Sequence, residues 1–287
     1  MAKYTTNDLL YLMARLRDPN QGCPWDLKQT SQTLIQYSIE EIYELVDAIE
    51  SANSKDIQAE LGDVLFQVVF LARIAEEEHQ FDFHQIVDQL CSKLIRRHPH
   101  IFIDGRLLNQ SNHNSQREAI SEQQVSKNWE AIKAAERVTE GRSGLFDDVP
   151  LALPALLRAV KLQKRAATMG LDFTQARSAL EKLKEEITEL EEAMDGYQQQ
   201  DTSAQSAEEE ISDELGDVLF SSVNVARKLA INPESALRGA NQKFTRRVLA
   251  VLDELPAYQA GNDSQGKPIT INPELLDQLW QSVKHDD

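Results

Sequence analysis

Glu60-Leu61-Gly62-Asp63-Val64-Leu65-Phe66 occurs a second time, residue for residue, as Glu214-Leu215-Gly216-Asp217-Val218-Leu219-Phe220. Upstream of each copy stands another acidic set, Glu40-Glu41-Ile42-Tyr43-Glu44 and Glu185-Glu186-Ile187-Thr188-Glu189. Residues three apart share one face of a helix, so Glu41 with Glu44 and Glu60 with Asp63 form two carboxylate pairs. Glu186 with Glu189 and Glu214 with Asp217 repeat them. If the two helices of a copy pack antiparallel, the pairs meet. Carboxylates converging in a partly dry site repel one another and call for a cation. Oxygen-only ligands favour a hard one, Mg²⁺ or Mn²⁺.

Two further elements recur in the same order. A basic set, Lys93, Arg96 and Arg97, returns as Lys243, Arg246 and Arg247, and Trp129 with Lys133 returns as Trp280 with Lys284. The four offsets are 145, 154, 150 and 151 residues. A lone acidic motif on a helix is an ordinary solvated face, and a basic last turn can merely complement the helix dipole. Surface decoration has no reason to recur four times in matched order.

Around these motifs the apolar spacing is helical throughout. It predicts helices over 8–17, over the first carboxylate set, over 56–78, over 81–97 and, briefly, over 129–137. In the second half it predicts helices over 153–168, 178–194, 215–230 and 233–252. The apolar run 64–72 places the third helix at the centre of its bundle. Residues 104–128, rich in Asn, Gln, Ser and Glu, read as a flexible polar segment. Residues 195–206 read as a polar loop insert that widens the second copy, since surface loops lengthen cheaply. The expected organisation is all-α, with an N-terminal bundle over 1–137, a linker over 138–150 and a C-terminal bundle over 151–287, each of four to five helices. A chain of 287 residues is long enough for two such cores.

The net charge of −17 argues against electrostatic binding of nucleic acid. No apolar signal core follows Met1, and the longest apolar run is broken by Gln67 and too short to span a bilayer, so a cytoplasmic protein without a membrane partner is expected. Cys23 and Cys91 fit a reducing compartment and have no metal-ligand spacing. Glu76 with His79 matches half of a di-iron signature but has no counterpart in the second copy. The second copy has Val248 and Leu249, and no histidine, after its basic set where the first has His98 and His100, which speaks against zinc there. Phosphate-loop and dinucleotide signatures are absent.

Acidic pairs beside clustered Lys and Arg describe a site for a polyphosphate, because metal ions bridge phosphate oxygens and cations cover the remaining charge. Three classes stay open on these grounds: a hydrolase, a binding module that senses nucleotide or metal, and an acidic helical scaffold. At this point the chain resembles the MazG family of nucleoside triphosphate pyrophosphohydrolases, within the all-α NTP pyrophosphatases. Besides the repeated sets, Gly22-Cys23-Pro24-Trp25-Asp26, Arg96-Arg97-His98-Pro99-His100, Leu153-Pro154-Ala155-Leu156 and Lys243-Phe244-Thr245-Arg246-Arg247 carry the resemblance. It implies two tandem MazG-like bundles and cleavage of nucleoside triphosphates between the α and β phosphates, giving a nucleoside monophosphate and pyrophosphate, with broad base tolerance and a housekeeping role.

The resemblance also assigns residues. Mg²⁺, with Mn²⁺ as a substitute, is expected on Glu41, Glu44, Glu60 and Asp63, and on Glu186, Glu189, Glu214 and Asp217. Glu40 and Glu185 are left as candidates to activate water or to support the metal ligands from outside. Lys243, Arg246, Arg247 and Trp280 are expected at the nucleotide, with Lys284, Lys182 and, in the first copy, Lys93, Arg96 and Arg97. A homodimer is implied. The second copy, richer in basic residues ahead of its carboxylates, is expected to be the stronger site.

Overall fold

A computed structural model describes residues 3–102, 107, 121–139, 141, 144–199, 204–255 and 273–285. Among them there are eleven helices and no strand, in agreement with the all-α expectation. The chain divides into two compact units, Met1–Ala135 and Glu136–Asp287.

The first unit is built from α1 (Thr6–Leu16), the one-turn α2 (Pro24–Leu27), α3 (Ile35–Glu50), α4 (Ser54–Glu77) and α5 (Phe83–Arg97), followed by α6 (Glu122–Thr139), which runs into the second unit. Thr5 and Asp8 close a reciprocal cap at the start of α1, and Asp82 with Gln85 does the same for α5. α4 is the hub and packs on α3, α1 and α5. Its apolar run supplies Val69, Phe70 and Ile74 to a core completed by Met13 and Leu34.

The Gly22–Asp26 motif is structural. A Cβ on Gly22 would stand 2.4 Å from the Leu16 carbonyl oxygen, so only glycine lets the chain fold back onto the end of α1. There Cys23 N–H donates to Leu16 O at 2.7 Å. Arg17, buried, then locks the motif to α4: its guanidinium donates to Glu77 at 2.7 Å and to the Asp26 carbonyl at 2.5 Å, and lies 5.4 Å from the centre of the Phe70 ring. Arg73 also binds Glu77, at 2.9 Å. These two guanidinium groups outweigh the opposing effect of burial and hold the Glu77 carboxyl below its ordinary range.

The second unit contains α7 (Ala155–Thr168), α8 (Ala176–Gln199), α9 (Ala204–Lys228), α10 (Pro233–Asp253) and α11 (Pro273–His285). α8 and α9 form its main hairpin; α7 and α10 pack on α9, and α11 on α10. Asn232 caps α10 through the N–H groups of Glu234 and Ser235.

Helix ends depart from the sequence reading in two places. Residues 195–199 continue α8 and 204–206 begin α9, so most of the expected loop insert lengthens the hairpin instead; residues 200–203 lie outside the described residues. The Gln and Ala residues of this stretch favour helix once neighbouring turns exist, which polarity alone does not reveal. α6 begins at Glu122, inside the segment read as polar and flexible, where Ser121 Oγ accepts from Gln124 N at 3.3 Å and caps it. Residues 103–106 and 108–120 lie outside the described residues. Among the described residues, no helix is long and apolar enough to cross a membrane.

Candidate metal and nucleotide site

α3 and α4 are joined by a turn at Ser51–Asn53, in which Ala52 takes a left-handed φ of 55°, so the two carboxylate sets face each other across a tight hairpin. One carboxylate oxygen each from Glu41, Glu60 and Asp63 lie within 4.8 Å of one another. Glu44 stands beside this trio rather than within it. Its charge, with those of Asp63 and Glu60, pushes the Glu41 carboxyl upward, although burial is the larger cause and a hydrogen bond from Gln67 opposes both. Glu60 is raised as well, by burial first and then by Glu44, Asp63 and Asp56.

Glu60 Oε2 is buried and has no hydrogen-bond partner. A carboxylate oxygen in that condition is costly unless a cation meets it. The donor set is all oxygen, as a hard divalent ion requires, so the residues present fit Mg²⁺ or Mn²⁺. On the neighbouring face Glu40, Glu44 and Asp47 from α3 and Asp56 and Glu60 from α4 line a cleft of about 550 Å³, together with Tyr43.

The second copy repeats the convergence with different partners. Oxygens of Glu186, Glu189 and Glu214 lie within 4.8 Å of one another, and Asp217, exposed one turn along α9, stands outside the trio. Glu186 is buried. Lys182 Nζ lies 2.7 Å from Glu185, 3.0 Å from Glu186 and 4.0 Å from Glu189. Hydrogen bonds to Glu185 and Glu186 raise the Lys182 ammonium above its ordinary range, so it stays charged. A hydrogen bond with Glu186, then burial, push Glu189 upward against the pull of Lys182. By the 145-residue offset the first copy has Tyr37 where the second has Lys182, and Tyr37 packs edge-on against Trp25 at 5.7 Å. The first cluster therefore has no lysine at that position.

The MazG nucleotide pyrophosphohydrolase domain model matches the chain twice, over residues 29–102 and 174–252. The chain belongs to the MazG family. It is 41% identical over 279 residues, 97% of each chain, to the nucleoside triphosphate pyrophosphohydrolase of Escherichia coli (strain K12). It is 39% identical over 280 residues, 98% of this chain and 96% of the other, to the nucleoside triphosphate pyrophosphohydrolase/pyrophosphatase MazG of Thermotoga maritima. Both MazG matches take in a carboxylate hairpin and the basic helix after it, and both stop short of the tryptophan helix.

The cationic residues of the two MazG copies sit one helix further on. In the first, α5 carries Lys93, Arg96 and Arg97, and Arg97 and Lys133 lie 5.4 and 5.5 Å from the centre of the Trp129 ring, with His98 edge-on at 4.9 Å. Basic motif and tryptophan thus meet, as their joint recurrence suggests. In the second, Trp280 packs on Phe244 at 5.7 Å, holding α11 against α10. Lys243 and Arg246 are exposed on α10, Arg247 is half-buried there, and Lys284 lies near the end of α11. The tryptophans are helix anchors first; a half-buried indole keeps a face for other contacts.

Gln67 is a member of the site that the motifs do not contain. It is buried four residues after Asp63, bonds Glu41 and keeps its own Oε1 without a partner. Its spacing from Asp63 was the available signal, as the spacing of Asp47 from Glu44 and of Asp56 from Glu60 was for the cleft.

Proposed function

We propose that this protein is a Mg²⁺-dependent nucleoside triphosphate pyrophosphohydrolase that cleaves between the α and β phosphates, releasing a nucleoside monophosphate and pyrophosphate. The observation that carries the reading is the convergence, in each copy, of three carboxylates from two adjacent helices onto one point. Full-length relatives named for this activity support it.

In this reading Glu41, Glu60 and Asp63, with Glu44, hold the ion in the first copy, and Glu186, Glu189 and Glu214, with Asp217, hold it in the second. The bound ion neutralises phosphate charge and acidifies water. Glu40 and Glu185, exposed beside the two trios, take the proton of the attacking water. The water oxygen bonds to the α phosphorus, the bond from that phosphorus to the bridging oxygen breaks, and pyrophosphate leaves. Lys182 fixes Glu185 in place and supplies positive charge at the phosphates, as do the basic residues of α5 and α10.

The protein acts on several bases, as a homodimer in the cytoplasm, in clearing unwanted nucleotides. Exposed apolar positions recur at matched places beside the carboxylates, Ile42 with Ile187, Leu61 with Leu215 and Leu65 with Leu219. Such repeated apolar faces support pairing with a second copy. The bundles over 1–137 and 151–287 each form one catalytic module, and the lysine beside its carboxylates supports the second as the stronger. Separation of products from ATP, GTP, CTP, UTP and their deoxy forms, with and without Mg²⁺, tests this. Monophosphate and pyrophosphate are expected; diphosphate with orthophosphate, or no turnover, overturns it.

A further inference from the structure

In each trio the glutamate from the first helix of the hairpin, Glu41 or Glu186, is held by a donor, but the two copies take that donor from different helices. In the second copy it is Lys182, four residues before Glu186 on α8, whose Nζ lies 3.0 Å from Glu186 and 2.7 Å from Glu185. The first copy has Tyr37 at the matched position, and the donor comes from α4 instead: Gln67, buried, gives its side-chain amide N–H to Glu41. By the 154-residue offset Gln67 corresponds to Ser221, whose side chain is shorter. The exchange is paired, with an amide and no lysine in one copy, and a lysine and no amide in the other.

The exchange changes the charge of the two seats. An amide orders a carboxylate without neutralising it, whereas an ammonium does both. The charges that bear on Glu41 and Glu60 are those of Glu44, Asp56, Glu60 and Asp63, all negative. Glu60 Oε2 is buried among them without a partner. In the second copy the Lys182 ammonium already stands among the acids, 4.0 Å from Glu189 as well. A divalent ion entering the first trio meets carboxylates and relieves their repulsion; entering the second, it competes with a cation.

Gln67 is placed for this contact rather than for packing. Its Oε1 is buried with no partner, so the bond to Glu41 is what orients the amide. A buried acceptor in that state is unfavourable, and an apolar side chain would fill the position without it.

We propose that Gln67 is the positioning residue for an ion that the first copy keeps in the absence of nucleotide, whereas Lys182 holds the second seat until a triphosphate arrives with its own ion. The proposal rests on the metal reading of both trios and gives them different tasks. The first ion ties α3 to α4 permanently; the second comes and goes with substrate.

Mn²⁺ binding followed by electron paramagnetic resonance, in the full chain without nucleotide, tests it. Glu186→Gln leaves the first trio intact and Glu41→Gln the second. The first trio should bind Mn²⁺ about fivefold more tightly. Mg²⁺ should raise the melting temperature of the Glu186→Gln protein and leave that of the Glu41→Gln protein nearly unchanged. In the Glu186→Gln background, Gln67→Leu should weaken Mn²⁺ binding by about tenfold or more, as loss of a group that orients a ligand does, with the ion-free melting temperature retained. Tyr37→Lys, whose aliphatic stem covers the same surface, should weaken it about fivefold and bring the first trio level with the second. Equal or reversed affinities of the two trios overturn the proposal, and so does a Gln67→Leu or Tyr37→Lys protein that binds Mn²⁺ as before. If Gln67→Leu does not fold, Gln67→Asn, which keeps the amide but draws it back by one methylene, must show the same loss. Wild-type protein that binds Mn²⁺ in neither trio overturns the metal reading itself.

Discussion

Lys182 Nζ lies 3.0 Å from the carboxylate of Glu186, the buried acid of the second cluster. A tethered ammonium here partly neutralises the acids, and it competes with any ion seeking the same oxygens. Lys182→Met should therefore bind Mg²⁺ more tightly, by roughly two- to fivefold, while KM for triphosphate rises. Calorimetric Mg²⁺ titration alongside steady-state kinetics checks both; Mg²⁺ affinity that falls with the lysine removed would show that it supports the ion instead.

Activity can be assigned to copies with isosteric changes. Glu189→Gln should lower kcat/KM by about 100-fold or more, in line with loss of a group that orders a metal site, and Glu44→Gln should do less. Pyrophosphate release from the single and double variants decides it. Unchanged turnover in the double variant would remove these acids from the mechanism.

Much of this was legible in the residues because the repeat is long and ordered. The identical seven-residue stretch, placed on a helix, already put Glu60 with Asp63 and Glu214 with Asp217 on shared faces. Which three acids close up was not legible, because that depends on where neighbouring helices place Gln67 and Lys182. In the first copy Glu44 stands aside and in the second Asp217 does, as mutual repulsion among four carboxylates favours. The helical ends of the 195–206 stretch were missed for a related reason: its polarity reads as a loop until α8 and α9 are paired.

The first unit depends on Phe70 of α4, which is fully buried in the core beneath Arg17. Phe70→Ala should cost about 3–5 kcal/mol, from lost transfer free energy and the void left behind. Urea unfolding followed by helical signal checks it, and a loss below about 1 kcal/mol would mean that the core closes around the gap.

Acid should unlock the second unit through Asp172. Hydrogen bonds from Arg227, and less strongly from Lys228, hold its carboxyl at about 2 against an ordinary 3.8. A lowered folded value means stability that is fully present above about pH 4 and lost as pH falls towards 2. Asp172→Asn should lose stability at neutral pH and show a flatter decline across that interval. Melting temperatures from pH 5 to pH 2 would contradict this if the two proteins decline in parallel.

The acidic trios are claimed as seats for a divalent ion, and Mn²⁺ binding followed by electron paramagnetic resonance reads that directly. Wild-type protein should bind Mn²⁺ in competition with Mg²⁺, and the Glu41→Gln/Glu186→Gln double variant, still helical, should bind little and release no pyrophosphate. Mn²⁺ binding and turnover that survive in the double variant would contradict the account.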